Sequence, residues 1–152
     1  MHIRQSFAAT GAAAVVVAVA LLVGSSGAHA GDASPRSGSL YVTKECTQYN
    51  FTAGAFCTIT SSNIPWIRAG MRVVYADAPT SNGLDTDVVL SAGNGSAAYG
   101  HVILDPSGSF GTVTFDGGTG AFRNFHVSAD VAYIVGGPTG ADYSWIGTYS
   151  FG

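Results

Sequence analysis

The sequence predicts an all-β protein of about eight strands, and three observations carry that expectation. After residue 30, apolar and polar residues alternate in short runs, and no stretch shows a convincing helical period. Clusters of Gly, Pro, Asn and Asp break those runs at short, regular spacing. The chain also holds 21 glycines in 152 residues, at a mean hydropathy of +0.29. Evenly spaced antiparallel strands form either a sandwich or a closed barrel, and closure removes exposed edges. A barrel of about eight strands is either filled by side chains or holds one small ligand.

Residues 1–30 stand apart from the fold. Met1-His-Ile-Arg4 is a short positive start, the run from Gly11 to Val23 is apolar, and Ser25 to Ala30 supplies small residues ending in an Ala-x-Ala pattern. This is the pattern of a secretory signal peptide cleaved after Ala30. A membrane anchor needs about 20 apolar residues, and this run is shorter. No cysteine follows it, which argues against a lipid-anchored form. The expected location is therefore extracellular, with no membrane contact after cleavage. Gly31 to Gly38 is small and polar and reads as a flexible leader, leaving 39–152 as one domain.

The nine acidic residues all lie beyond residue 30, against five basic ones, Arg36, Lys44, Arg68, Arg72 and Arg123, giving a formal charge of −4. The cations are scattered rather than clustered, so a nucleic-acid partner is excluded by the lack of a basic patch. Cys46 and Cys57 are the only cysteines. In a secreted chain an isolated pair reads as a disulfide, and the spacing lacks the Cys-x-x-Cys form of a redox pair.

Taken in order, Leu40–Thr43 reads as the first strand and Phe56–Thr60 as the second, ended by Ser61-Ser-Asn-Ile-Pro65. Gly70 opens a strand over 71–77, and Asn82-Gly83 marks the next turn. Strands follow at 87–91, 98–104 and 110–115. Asp116-Gly117-Gly118-Thr119-Gly120 reads as a sharp corner, because three glycines in four positions tolerate positive φ. The run after it, 121–135, is the longest alternating segment. Phe125, Val127, Ala129, Val131, Tyr133 and Val135 fall on one face, Asn124, His126, Ser128 and Asp130 on the other. Residues 143–151 close the chain, with Tyr143, Trp145, Gly147, Tyr149 and Phe151 on one face.

Tyr99-Gly100-His101, the corner Phe115-Asp-Gly-Gly-Thr-Gly-Ala-Phe122 and the terminal Trp145-Ile-Gly-Thr-Tyr-Ser-Phe151 resemble the allene oxide cyclase-like and dirigent-like barrel proteins, and within them the secreted actinobacterial members. The similarity spans roughly 40–151. It implies an eight-stranded antiparallel barrel with a central cavity, commonly a homotrimer. It also implies a small hydrophobic, secondary-metabolite-like ligand whose cyclisation or isomerisation is guided without a cofactor. Such chemistry asks for a shaped apolar cavity and one or two acid/base groups. The alternative is a non-catalytic secreted barrel that binds a ligand or packs into an extracellular assembly. Two departures stand out. Ala121 follows the glycine corner where dirigent proteins often carry a charge, and Val102 and Val113 stand where secreted relatives frequently have a second cysteine pair.

Counting along the dirigent pattern, the functional arginine of the strand after the corner falls near His126, and histidine suits proton transfer near neutral pH. Alternation instead puts His126 on a solvated face, and a bulge near the corner would exchange the two faces. Asp87, at a strand start, is the second candidate acid/base group; Asp85 reads as a turn residue. Tyr75 alternates with Met71 and Val73 and is a candidate for the cavity wall, while Arg72 points outward. Tyr99 and His101 share a face with Ile103 and are the other wall candidates. No third histidine or cysteine completes a zinc set, and Asp77, Asp85 and Asp87 lack the pattern of a calcium loop, so no metal is expected.

Overall fold

The computed structural model describes residues 35–152, so the signal-peptide reading of 1–30 and part of the 31–38 leader lie outside the described residues. Eight strands follow one another: β1 (Ser37–Glu45), β2 (Phe56–Ser62), β3 (Arg72–Tyr75), β4 (Leu84–Ser91), β5 (Ala97–Leu104), β6 (Phe110–Thr119), β7 (Phe125–Tyr133) and β8 (Asp142–Phe151). Each pairs antiparallel with the next, and β8 returns to β1 from Ser37↔Ser150 to Glu45↔Asp142. The sheet is thus a closed eight-stranded antiparallel barrel, and no strand is left with an unpaired edge. Among the described residues no helix is long and apolar enough to cross a membrane.

Alternation decides what fills the interior. Leu40 and Val42 of β1, Ile59 of β2, Val73 of β3, Val88 and Leu90 of β4, Val113 and Phe115 of β6 and Trp145 of β8 are all buried. Val102 and Val113 face each other across β5 and β6, both buried, so the place of the missing cysteine pair is taken by apolar packing. Glycines make room where strands crowd. A Cβ on Gly147 would run into the Ser128 carbonyl and the Ala129 backbone, and one on Gly100 into the Thr114 carbonyl and the Phe115 ring.

The glycine corner is displaced from its expected position. Residues 116–119 are still strand, because Gly118 lets β6 lie against the Ala97 carbonyl and pair with Ala98. The register slips between Ala98 and Gly100, a bulge that bends the strand pair. The reversal occurs at a 3-10 turn, Gly120–Phe122, and is completed by Asn124 at φ 58. Further boundaries differ: β1 begins at Ser37, within the expected leader, β3 covers only Arg72–Tyr75 of the run 71–77, β7 stops at Tyr133, and Asp85 lies inside β4 rather than in a turn.

Candidate functional site

The two ends of the barrel are built differently. At the end carrying residues 63–71, 92–96 and 120–124, Trp66 stacks within 4.7 Å of Phe151 and 5.8 Å of Tyr149, while Phe125 packs 5.2 Å from Phe122 and 5.0 Å from Phe151. This aromatic plug closes the interior. At the other end, the connections after β1, β3, β5 and β7 surround a cavity of about 340 Å³. That volume lies at the small end of the range for small-molecule sites.

Lys44 lies on the cavity floor. It sits on the inward face of β1, in step with Leu40 and Val42, opposite Tyr143 of β8 and Ile59 of β2, and is only 3% exposed. Its Nζ makes a short hydrogen bond with the Tyr75 hydroxyl. Nζ also lies 5.1 Å from the ring centres of Tyr75 and Tyr143 and 5.7 Å from that of Trp145. Among the described residues no carboxylate comes within ion-pair distance of it. Cation–π contact compensates part of the lost hydration but replaces no counter-ion. Burial therefore pulls the Lys44 ammonium down from 10.5 to about 7.

The phenols around it shift the opposite way. Burial, with the neighbouring Tyr49 and Tyr143, pushes Tyr75 far above its ordinary value, so its hydroxyl keeps its proton. Burial also raises Tyr49 and Tyr143. Tyr49 stands edge-on to Tyr75 with ring centres 5.1 Å apart. The Tyr49 hydroxyl and the Trp145 indole N–H are both buried and meet no hydrogen-bond partner among the described residues.

The loop between β1 and β2 brings Tyr49 over the floor. The Cys46–Cys57 disulfide ties its two ends together, as the isolated cysteine pair implies. Phe51 follows, 69% exposed at the cavity mouth, at φ 61, with its ring 5.2 Å from that of Tyr49. An aromatic residue in the left-handed region is conformationally costly and marks a place worth functional scrutiny. Across the mouth, Asp105 accepts hydrogen bonds from the Ser107 hydroxyl (2.8 Å) and the Ser109 and Phe110 amides (2.9 and 3.1 Å). The Ser107 hydroxyl first, then the amides, hold its carboxyl below the ordinary range, so the rim carries a fixed negative charge.

Of the residues singled out in the sequence, Tyr75 alone lies in this cavity, together with the disulfide. Tyr99 and His101 share a face as expected, but it is the outer one: Tyr99 is 49% exposed and Ile103 50%. Between them, Gly100 and Val102 take the inward positions and face Val88 and Thr86 of β4. Asp87 points outward for the same reason, opposite His101. His126 also lies outside, with Nδ1 2.8 Å from the Asp116 carboxylate. β7 keeps an unbroken register with both neighbours, and Phe125, Val127, Ala129 and Val131 occupy its inner face, so no bulge turns His126 inward. His126 and Asp87 are thus not a cavity acid/base pair. Lys44, counted among the scattered cations, is the basic side chain that lines the cavity.

Set against models of protein families, curated proteins and solved structures, the chain matches none of them.

Proposed function

We propose that this chain is a secreted barrel that binds a small hydrophobic, secondary-metabolite-like ligand at the open end and guides its cyclisation or isomerisation. The observation that carries the reading is a largely apolar cavity with one buried amine–phenol pair, Lys44 and Tyr75, on its floor. Apolar walls exclude water and hold a ligand, and an amine that titrates near neutral pH beside a protonated phenol can act as general base and acid. The closed eight-stranded barrel is in keeping with kinship to the allene oxide cyclase-like and dirigent-like proteins. The leader pattern and the disulfide support export.

A second reading, a binding barrel without turnover, draws on the outward placement of Asp87, His101 and His126. That placement leaves proton transfer to the Lys44–Tyr75 pair alone. A thermal-shift screen with neutral aromatic and aliphatic molecules tests the shared part of both readings, since binding to the native state raises the melting temperature. Stabilisation that disappears when Ser107→Trp blocks the mouth supports a ligand site. A panel that leaves the wild-type melting temperature unchanged overturns it.

A further inference from the structure

Lys44 is the single lysine of the chain, and the fold spends it on the interior. A solvated lysine would keep its charge; this one borders a cavity, is ringed by Tyr75, Tyr143 and Trp145, and meets no carboxylate among the described residues. An amine freed of its proton is a nucleophile, and desolvation in an apolar pocket is a recognised way to free it.

We infer that Lys44 is an imine-forming nucleophile toward a small, neutral, apolar aldehyde or ketone that enters this cavity, with the Tyr75 hydroxyl moving the proton. The inference rests on the ligand-binding reading above and names the ligand's chemical class. The Lys44 Nζ lone pair attacks the carbonyl carbon, a C–N bond forms, and one amine proton passes to the carbonyl oxygen. The carbinolamine then loses water. Its C–O bond breaks as the Tyr75 hydroxyl gives its proton to the departing oxygen, and Tyr75 recovers a proton from nitrogen as the C=N bond forms. The balance is amine plus carbonyl to imine plus one water, with no oxidant or reductant. Tyr75 is placed for both transfers by its hydrogen bond to Nζ, and its raised pKa keeps the proton available. Lowering of the Lys44 pKa to about 7 leaves much of the amine uncharged at neutral pH. Once it takes up a proton from water, the imine becomes an iminium ion that makes the adjacent C–H more acidic, which is the activation an enolisable carbonyl needs to isomerise or cyclise.

The surroundings narrow the substrate further. The walls offer Tyr49, Leu84 and Leu104; among the described residues no cation but the reacting Lys44 itself lines the cavity, and the Asp105 carboxylate stands at the rim. An anionic carbonyl such as a 2-oxo acid is therefore disfavoured against a neutral one.

Reductive trapping tests this directly. The secreted protein is incubated with benzaldehyde and sodium cyanoborohydride at pH 7, then analysed by intact mass and peptide mapping. The expected result is one benzyl group on Lys44, added at least about tenfold faster than on the amino terminus, the only other primary amine, because the cavity concentrates and orients the aldehyde. Glyoxylate, an anionic aldehyde, should label Lys44 poorly. Tyr75→Phe should slow labelling at least about tenfold while leaving its site unchanged. Lys44→Met should restrict labelling to the amino terminus. Benzyl alcohol, which cannot form an imine, is followed in parallel by thermal shift. If it stabilises the protein but benzaldehyde leaves Lys44 unmodified, or modifies it only after denaturation, the imine assignment is overturned and the binding reading survives. If neither molecule binds nor labels, both fall.

Discussion

Asp87 and His101 face each other across β4 and β5 on the outside of the barrel, with the His101 Nδ1 2.8 Å from the Asp87 carboxylate. Asp85, two residues away on the same face, holds Nε2 at 2.7 Å. With a carboxylate on each ring nitrogen, both nitrogens must donate, which is the charged form of the ring. The hydrogen bond to Asp87, then that to Asp85, raises His101 above its ordinary 6.5. The stabilisation is fully present below pH 6.5 and fades as pH rises through the folded-state value. All three side chains are well exposed, so it should amount to less than about 1 kcal/mol and weaken further with salt. An NMR titration of the ring should show a pKa above 6.5 that falls in Asp87→Asn. An unchanged value in that variant would count against the geometry.

Lys44 affects stability with the opposite sign. Its folded-state value of about 7 lies below the 10.5 of a free lysine, so the unfolded chain binds the extra proton between those limits. Stability is therefore lowest, as far as this group is concerned, below pH 7 and recovers as pH rises, by up to about 1.4 kcal/mol per pH unit. Lys44→Met removes the buried charge while keeping an unbranched side chain of similar volume. It should raise stability near pH 6 by about 1–4 kcal/mol and flatten the rise above pH 7. Urea unfolding of both proteins from pH 6 to pH 9 measures this, and the difference between them cancels His101. Parallel pH profiles for the two would show that Lys44 stays hydrated.

Both histidine clusters and the lysine show what the sequence could convey about this site. The strands were legible because one face of each is apolar, and Tyr75 could be aimed inward from its alternation with Val73. The same rule aims Lys44 inward from Leu40 and Val42, but a charged residue at the end of an apolar run reads as the edge of the strand rather than its continuation. Alternation alone did not choose between sandwich and barrel; the resemblance implied the eight-stranded antiparallel barrel that the chain forms. Closure turns on pairs such as Val42↔Trp145, which join the first and last strands. The corner was misplaced because Gly118 serves close packing against Ala97, whereas positive φ at Gly120 and Asn124 makes the turn. His126 was read in two directions, and the filled inner face of β7 decides for the outside.

The Cys46–Cys57 bond should matter to the cavity as well as to the fold. It joins residues 11 apart in sequence and closes a loop that carries Tyr49 and Phe51 to the mouth. Restricting a loop of that size in the unfolded chain is worth roughly 2–3 kcal/mol. Replacing both cysteines by alanine should lower the unfolding free energy by that amount and weaken binding of any cavity ligand. Denaturant unfolding and calorimetric titration read the two effects separately. Lost stability with unchanged affinity would mean that the loop keeps its shape unaided.

Phe51 offers a separation of strain from function. Its φ of 61 is a left-handed conformation that costs an L-residue about 1–2 kcal/mol and costs glycine almost nothing. Its ring is largely exposed and touches the edge of Tyr49, so little burial is lost on removing it. Phe51→Gly relieves the strain but adds freedom to the unfolded chain, and the two terms nearly offset. Phe51→Ala keeps the strain and loses the ring. Both variants should therefore stay within about 1 kcal/mol of the wild type in stability. If the ring caps bound ligands, both variants should weaken binding equally although their stabilities barely change. Unchanged affinity in both would remove Phe51 from the site and leave its backbone strain without a functional reason.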